Sequence, residues 1–221
     1  MNSDTEKPRT AVFDLDGTLV DSAQDIHAAV NRMMERLSLA GFALPEVVAM
    51  VGDGVKVLVT RALTARGLAF DQECLDDFTV DYTANAAVLT RPFAGIPEAL
   101  DALESWGWRL CVCTNKPEEA ARLLLRDLGL APRFAAIGGG DSFPTRKPDP
   151  AHLRATLAAA GGDPARAVMI GDHHNDVAAA AGLGLPCVFA LWGYGPRSMA
   201  GESVLAATPA ELPGLLARLL P

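Results

Sequence analysis

Short apolar runs alternate with amphipathic stretches along most of this chain. Short apolar runs are typical of buried strands, whereas apolar positions three or four residues apart indicate helices. The predicted strands cover residues 10–13, 109–113, 134–137, 167–170 and 187–191. The helices predicted between and after them cover residues 96–106, 116–128, 150–160, 175–181 and 209–220. Because the two kinds of element alternate, we expect an α/β fold with a Rossmann-like parallel sheet covered by helices on both faces.

Residues 20–88 interrupt this alternation with a stretch that is helical throughout. Apolar residues recur at helical spacing in residues 21–39, and Gly41 fits the end of that helix. Further helices are predicted at residues 45–51, 55–66 and 71–88, and no strand pattern separates them. We therefore expect a sheet-containing core of residues 1–19 and 89–221 and an inserted α-helical cap of residues 20–88.

The composition is that of an ordinary globular protein. Of the 221 residues 50% are hydrophobic and 21% are charged, which suffices for a core with an inserted module. The formal net charge of −8 argues against nucleic acid or anionic membranes as partners. No apolar run approaches the ~20 residues of a membrane span, and the first nine residues lack the apolar core of a signal peptide, so we expect a cytoplasmic location. The four cysteines show no C-x-x-C spacing, so we expect free thiols.

The first predicted strand ends in two aspartates, Asp14 and Asp16, which are followed by Gly17 and Thr18. Ligands of open α/β sheets bind beyond the carboxyl ends of the strands, so this segment is a candidate active site. Carboxylates so close together repel each other unless a cation or a shared proton compensates, and we favour a divalent metal ion. Because Asp and Gly are also common in turns, this segment alone does not distinguish a site from an acidic turn.

Two later loops carry groups suited to phosphate. Thr114 and Asn115 precede a helix whose free N–H groups favour an anion, although both residues are also good helix caps. Lys147 stands just before another predicted helix, where its charge can reach a phosphoryl oxygen or balance neighbouring carboxylates. A lone Lys-Pro pair is also common in exposed turns. These loops therefore indicate a phosphate site only in combination with the first segment.

A third loop, which follows the strand at residues 167–170, contains Asp172 and Asp176. Magnesium typically takes one or two protein carboxylates together with waters and a substrate phosphate, so Asp172 can complete a site begun by Asp14. Adjacent His173 and His174 cannot easily both face one ion, and imidazole suits zinc better than magnesium. We therefore expect neither histidine to be a metal ligand.

These four segments, in this order, resemble the haloacid dehalogenase superfamily of phosphotransferases. The matching segments are D-x-D-G-T-L-V-D-S at 14–22, the loops at Thr114 and Lys147, and G-D-x-x-x-D at 171–176. The helical insert stands where that superfamily places its smaller cap. One departure is His173, because the superfamily usually carries serine at that position. Further segments look most like those of the phosphoglycolate phosphatases, at residues 51–54, 114–117, 138–141, 146–150 and 193–195.

The resemblance implies a magnesium-dependent phosphomonoesterase. Asp14 is expected to attack phosphorus and form an aspartyl-phosphate, which divides a difficult hydrolysis into two easier steps. Asp16 is expected to protonate the departing alcohol and later to take a proton from water. Magnesium is expected to be held by the Asp14 carboxylate, the Asp16 backbone carbonyl and Asp172.

The resemblance also implies roles for residues around the phosphoryl group. Thr114 and Lys147 are expected to neutralise charge on its oxygens, and Thr18 and Asn115 to bind the substrate. Asp176 is expected to lie behind the metal site and to steer Lys147.

In the cap, Lys56 and Arg61 near the Gly-Asp-Gly turn at 52–54 are candidates to meet a substrate carboxylate. Charged residues on helices are more often only solvated. The cap is joined to the core by connectors near residues 18–21 and 88–94, so we expect it to hinge and to exclude water from the intermediate.

The leading hypothesis is a phosphatase of a small phosphorylated metabolite, with 2-phosphoglycolate as first choice. The same site suits another small ester, such as an amino-sugar phosphate, or a sugar-phosphate mutase. From a different class, a phospho-acceptor signalling domain also combines an aspartate, magnesium and a lysine on a doubly wound sheet. The long insert and the second acid, Asp16, speak against it. A monomer and a homodimer both remain open.

Overall fold

A computed structural model of the chain describes residues 7–221, so residues 1–6 of the predicted core lie outside the described residues. The strands are β1 (Thr10–Phe13), β2 (Val20–Asp21), β3 (Arg91–Pro92), β4 (Arg109–Cys113), β5 (Ala136–Gly138), β6 (Ala167–Gly171), β7 (Cys187–Ala190) and β8 (Val204–Ala206). The helices are α1 (Ala23–Arg36), α2 (Leu44–Val48), α3 (Val55–Ala65), α4 (Gln72–Ala84), α5 (Ile96–Ser105), α6 (Glu118–Asp127), α7 (Pro150–Ala159), α8 (His174–Leu183) and α9 (Leu212–Leu219).

The main sheet has six strands in the order β5-β4-β1-β6-β7-β8, and every neighbouring pair is parallel. The predicted α/β fold with a parallel sheet is therefore confirmed. The chain leaves the central strand β1 and builds β4 and β5 on one side, then β6, β7 and β8 on the other. This reversal opens a crevice beyond the carboxyl end of β1, where open α/β sheets bind their ligands.

Alternating side chains of the strands pack in two hydrophobic cores, one on each face of the sheet. Ala11 and Phe13 of β1 pack in the core formed with α5, α6 and α9, whereas Val12 packs in the core formed with α7 and α8. Successive residues of a strand point to opposite faces, so a strand covered on both faces must be apolar throughout. The resulting layers hold the carboxyl ends of β1, β4 and β6 rigidly side by side.

Helices α1 to α4 have a hydrophobic core of their own. It contains the buried side chains of Met33 and Met34 from α1, Leu63 from α3 and Phe78 from α4. The structure thus groups these helices around one core and the sheet around two others. The division of the chain at residues 20 and 88 stays a prediction about domains.

The two connections between the sheet and these helices are tied together by elements that the sequence pattern does not predict. Strands β2 and β3 form a two-residue antiparallel ladder, and a ladder this short has no measurable period. Asp25 of α1 accepts hydrogen bonds from the Leu89 and Thr90 backbone N–H groups and from the Thr90 hydroxyl. Strand β8 is likewise unpredicted, and its three residues lie at the edge of the sheet.

Two predictions from composition can be compared with the structure. No helix within residues 7–221 is long and apolar enough to span a membrane. All four cysteines are free. The cytoplasmic location, the lack of a nucleic-acid partner and the oligomeric state stay predictions.

Candidate active site

Asp14 lies at the carboxyl end of β1, in the middle of the crevice. Its backbone N–H donates to the Ile170 carbonyl at 2.9 Å, which prolongs the ladder between β1 and β6. The chain then turns sharply at Gly17, whose φ of +86° is accessible mainly to glycine. A Cβ atom at Gly17 would lie 2.4 Å from Asp172 Oδ2, so glycine is also needed for the close approach of these two loops.

Lys147 joins two of the predicted acids by direct ion pairs. Its Nζ lies 2.9 Å from Asp14 Oδ1 and 2.6 Å from Asp176 Oδ1, and it also donates to the Cys113 carbonyl at 2.5 Å. Burial lowers the pKa of Lys147, but the Asp14 and Asp176 carboxylates outweigh this effect and raise it. The buried lysine is therefore charged at neutral pH, and the structure brings it to Asp14 as expected.

Asp14, Asp172 and Asp176 form a buried acidic cluster in which one oxygen of each lies within 4.8 Å of the others. Burial raises the pKa of Asp14 to about 6, although Lys147 lowers it in part. Burial, and then the Asp14 and Asp176 charges, raise the pKa of Asp172 to about 7. A divalent cation would relieve this repulsion, and an all-oxygen donor set is the one that magnesium prefers. The cluster therefore fits a divalent metal ion such as magnesium.

The Asp172 carboxylate is held by three donors from distant parts of the chain. The Thr18 hydroxyl donates to Oδ1 at 2.9 Å, and the Tyr194 and Gly195 N–H groups donate to Oδ2 at 2.7 and 3.2 Å. The Thr18 hydroxyl is thus directed toward Asp172, and its expected contact with the substrate stays a prediction. Thr18 and Asp172 are 154 residues apart in the chain, so local spacing carries no sign of their contact.

Asp16 has quite different surroundings from Asp14, although only one residue separates them. Its Oδ1 accepts from the Ser22 hydroxyl at 2.6 Å and from Lys116 Nζ at 3.1 Å. Lys116 also donates to the hydroxyl of Tyr82, which belongs to α4. The sequence segment around Thr114 contains Lys116, but no sequence signal marks Tyr82, because an aromatic residue on a helix usually belongs to the core.

A cavity lies between the sheet and the helical insert, directly over the two aspartates. The sheet contributes Asp14, Asp16, Thr114, Asn115 and Lys116 to its walls, and the insert contributes Tyr82 and a group of apolar side chains, Ile26, Val55 and Leu58 among them. Concave sites with apolar walls and a few convergent polar groups are typical of binding sites for small molecules. The cavity is therefore the candidate substrate site.

Thr114 and Asn115 line this cavity as expected. The Thr114 N–H donates to the Gly138 carbonyl at 2.9 Å, and its hydroxyl accepts from the Lys116 N–H at 3.2 Å. The Asn115 side chain donates to the Lys147 carbonyl at 2.9 Å and to the Gly52 carbonyl at 3.0 Å. Asn115 thus connects the sheet with the loop at residues 51–54 of the insert.

Lys56 and Arg61 do not line the cavity. Lys56 Nζ lies 5.0 Å above the ring of Phe70, and Arg61 Nη2 pairs with Asp53 Oδ2 at 2.6 Å. The structure therefore does not bring either cation to the place where a substrate carboxylate was expected to meet it. The cation that does line the cavity is Lys116.

The loop at residues 51–54 rests on the start of α8. Asn175 donates to the Gly52 carbonyl at 3.1 Å and to Asp53 Oδ1 at 2.8 Å. The rings of His173 and His174 lie close together, with centroids 4.2 Å apart, and donor atoms of both lie within 4.8 Å of an Asp53 oxygen. The two rings thus group with Asp53 and not with Asp14, and the expectation that neither histidine is a metal ligand stays a prediction.

Comparisons with known proteins agree with this fold. A family model for haloacid dehalogenase-like hydrolases matches residues 8–184. The chain is 45% identical over 217 residues to a phosphoglycolate phosphatase of Cereibacter sphaeroides, an alignment that covers 95% of this chain and 98% of that protein.

Two solved structures have the same fold over nearly the whole chain. One is a predicted phosphoglycolate phosphatase from Haemophilus somnus, with a TM-score of 0.86, 26% identity and coverage of 96% of this chain and 99% of that one. The other is CbbY from Rhodobacter sphaeroides in complex with phosphate, with a TM-score of 0.78, 26% identity and coverage of 93% and 96%. The chain belongs to the haloacid dehalogenase-like hydrolase family. Within that family it is a phosphatase, as its relatives at more than 40% identity are.

Proposed function

We propose that this phosphatase hydrolyses 2-phosphoglycolate to glycolate and phosphate, with magnesium and through an aspartyl-phosphate on Asp14. The observation that carries the proposal is the Asp14 carboxylate, which lines a cavity together with a second acid, Asp16, and has Lys147 Nζ at 2.9 Å. The choice of substrate is supported by the 45% identity to a phosphoglycolate phosphatase.

In the first step, an Asp14 carboxylate oxygen attacks phosphorus while the bond from phosphorus to the ester oxygen breaks. Asp16 gives its proton to the departing glycolate oxygen, so that no free alkoxide is released. Lys147 holds Asp14 in place and, with Thr114 and the Asn115 backbone, balances charge on the phosphoryl oxygens. Asp176 keeps the Lys147 ammonium in position by its own ion pair.

In the second step, a water molecule attacks the phosphorus of the aspartyl-phosphate. Asp16, now ionised, takes a proton from that water, and the bond between phosphorus and the Asp14 oxygen breaks. Both aspartates return to their starting states. The sum of the steps is one ester and one water converted to one alcohol and one phosphate.

Asp14, Asp172 and the Asp16 backbone carbonyl would hold the magnesium ion. When bound, the ion supplies positive charge that makes several carboxylates tolerable beside a phosphate dianion. The chain prepares this arrangement, because Thr18, Tyr194 and Gly195 orient Asp172 by hydrogen bonds.

The proposal is tested by phosphate release from 2-phosphoglycolate with magnesium and with EDTA. We expect turnover only with magnesium, and a loss of about 10⁴-fold or more in Asp14→Asn, because removal of a nucleophile eliminates the covalent route. The matched control is Asp127→Asn, which neutralises an exposed carboxylate outside the cavity. If Asp14→Asn releases phosphate at the wild-type rate while folded, the mechanism is wrong.

The same preparation separates the alternatives. A ranking of small phosphate esters by kcat/KM identifies another preferred ester if there is one. A mutase would move the phosphoryl group between hydroxyls of a sugar phosphate without net release of phosphate. A signalling domain would accumulate a stable phosphoprotein with little turnover.

A further inference from the structure

Lys116 is a buried charge for which the proposed mechanism has no task. Its side chain is 1% exposed, and it lines the cavity beside Asp16. An ammonium group removed from water is costly unless it is paired and hydrogen-bonded. A buried lysine that lines the same cavity as Asp14 and Asp16 calls for a functional explanation.

The contacts of Lys116 place a second hydrogen-bond donor, the Tyr82 hydroxyl, beside its ammonium group. Its three N–H groups meet one carboxylate, with Nζ 3.1 Å from Asp16 Oδ1 and 3.3 Å from Oδ2, and the Tyr82 oxygen. Tyr82 accepts this bond, so its own phenolic hydrogen can be donated to a second acceptor. Burial, and then the Asp16 charge, raise the pKa of Tyr82 well above its usual value, so the phenol keeps this hydrogen.

Among the cavity's lining residues in the described part of the chain, Lys116 is the only lysine or arginine. Lys147 lies deeper, between Asp14 and Asp176, and its contacts suit it to the phosphoryl end. The insert adds apolar walls from Ile26, Val55 and Leu58. A second negative group on a bound ester would therefore find its counter-charge at Lys116.

Lys116 and Tyr82 line the cavity on the side of Asp16, whereas Lys147 joins other acids. A substrate carboxylate at this place would form charge-assisted hydrogen bonds, which are about twice as strong as neutral ones.

We propose that Lys116, together with the Tyr82 hydroxyl, binds the carboxylate of the substrate and selects phosphate esters that carry one. The inference rests on the proposed hydrolysis of 2-phosphoglycolate and names the residues that recognise its acidic end. Lys56 and Arg61 were expected to bind the substrate carboxylate, but neither lines the cavity. The inference gives this role to Lys116, which follows the sheet, and to Tyr82 of the insert, which contact each other beside Asp16.

The test compares 2-phosphoglycolate with ethyl phosphate, which has the same carbon chain with a methyl group in place of the carboxylate. The ratio of the two kcat/KM values is measured in the wild type, Lys116→Met, Tyr82→Phe and the control Arg126→Met, which removes an exposed cation paired with Asp127. We expect Lys116→Met to lower the ratio about 10- to 100-fold, as the loss of a charged hydrogen bond does, and Tyr82→Phe to lower it about 3- to 10-fold. Arg126→Met should leave the ratio as it is.

The outcomes distinguish the two proposals. If the wild type hydrolyses 2-phosphoglycolate and Lys116→Met loses the same factor on both esters, Lys116 acts only through Asp16 and the inference is wrong. Circular dichroism shows whether Lys116→Met folds. If it does not, the inference is tested by Tyr82→Phe alone, and a wild-type ratio of the two kcat/KM values in that variant overturns it. If the wild type has equal kcat/KM values for ethyl phosphate and 2-phosphoglycolate, the proposed substrate itself is wrong.

Discussion

Two aspartates separated by one residue show how strongly surroundings decide chemistry. Asp14 is enclosed by Lys147 and two further carboxylates, whereas Asp16 faces Ser22, Lys116 and the cavity. Strand β1 ends at Phe13 and the chain turns at Gly17, so the two side chains reach different parts of the site. The proposed nucleophile, Asp14, is thus paired with a cation, and the proposed acid, Asp16, lines the cavity.

Gly195 can be used to test whether the close contact between its backbone and Asp172 is needed for metal binding. A Cβ atom there would lie 1.8 Å from the Asp172 carbonyl oxygen, so the backbone has to shift. We expect Gly195→Ala to disturb the donors to Asp172 and to weaken magnesium binding about 10- to 100-fold, in the range found for groups that orient metal ligands. Isothermal titration with magnesium measures the effect.

Gly214→Ala is the matched control for that substitution. The nearest atom to a Cβ at Gly214 is Arg218 Nη1 at 3.7 Å, an ordinary contact, and the residue lies in α9 away from the cavity. Magnesium affinity should be unchanged there, and stability should rise by about 0.4–1 kcal/mol. Equal magnesium affinity in Gly195→Ala and wild type would contradict the role given to this loop.

At the scale of elements, the loop at residues 51–54 acts as a contact between the insert and the sheet. Its Gly52 carbonyl accepts from Asn115 and from Asn175, and Asp53 accepts from Asn175. Because only a few hydrogen bonds hold this loop, the insert can move away from the sheet when they break. They give a physical basis for the expected hinge motion, which stays a prediction.

Asn175→Ala tests this contact. The substitution removes two hydrogen bonds, each worth about 0.5–1.5 kcal/mol, so amide hydrogen exchange in residues 51–54 should become roughly 5- to 150-fold faster. Exchange in α5, which lies on the far side of the sheet core, should not change. Asn85→Ala is the control, because the Asn85 side chain donates within α4 to the Asp81 carbonyl. The same exchange rates in Asn175→Ala and wild type would show that the loop is held by other contacts.

At the scale of the whole molecule, the buried acids make stability depend on pH and on metal. The folded-state pKa of Asp172, about 7, lies above the ~3.9 of an unfolded chain. The folded state therefore binds more protons between pH ~4 and 7, and the contribution of Asp172 to stability falls as pH rises through that window. His152, whose pKa burial lowers to about 4 from the ~6.5 of an unfolded chain, acts in the opposite direction over most of the window.

Comparison with Asp172→Asn separates these effects, because that variant retains His152. Without metal, the Tm of wild type relative to the variant should fall as pH rises from 5 to 8, by roughly 2–4 °C for each kcal/mol. Magnesium should raise the wild-type Tm more at pH 8 than at pH 5, since protons and the ion compete for the same oxygens. A magnesium shift that is equal at both pH values, or equal in Asp172→Asn, would exclude a site at this carboxylate.

Much of the architecture was predictable because it depends on local periodicity. Strand β1 and strand β4 have the predicted bounds, and the predicted helices match α1 to α9 to within a few residues. Parallel strands bring their carboxyl ends to one edge, so the acids and the lysine of four separate segments could be expected to meet there. Strands of two or three residues, β2, β3 and β8, have no such period and were not predictable.

The amino-acid sequence alone therefore determined the parallel sheet, the helical insert and the segments that carry Asp14, Lys147 and Asp172. The partners of individual side chains depended on the packed fold. Thr18 meets Asp172 across 154 residues, and Lys116 meets Tyr82 across 34 residues and from a different hydrophobic core. The physical reason is that periodicity records which face of an element is buried, whereas a contact between two elements exists only once both have packed.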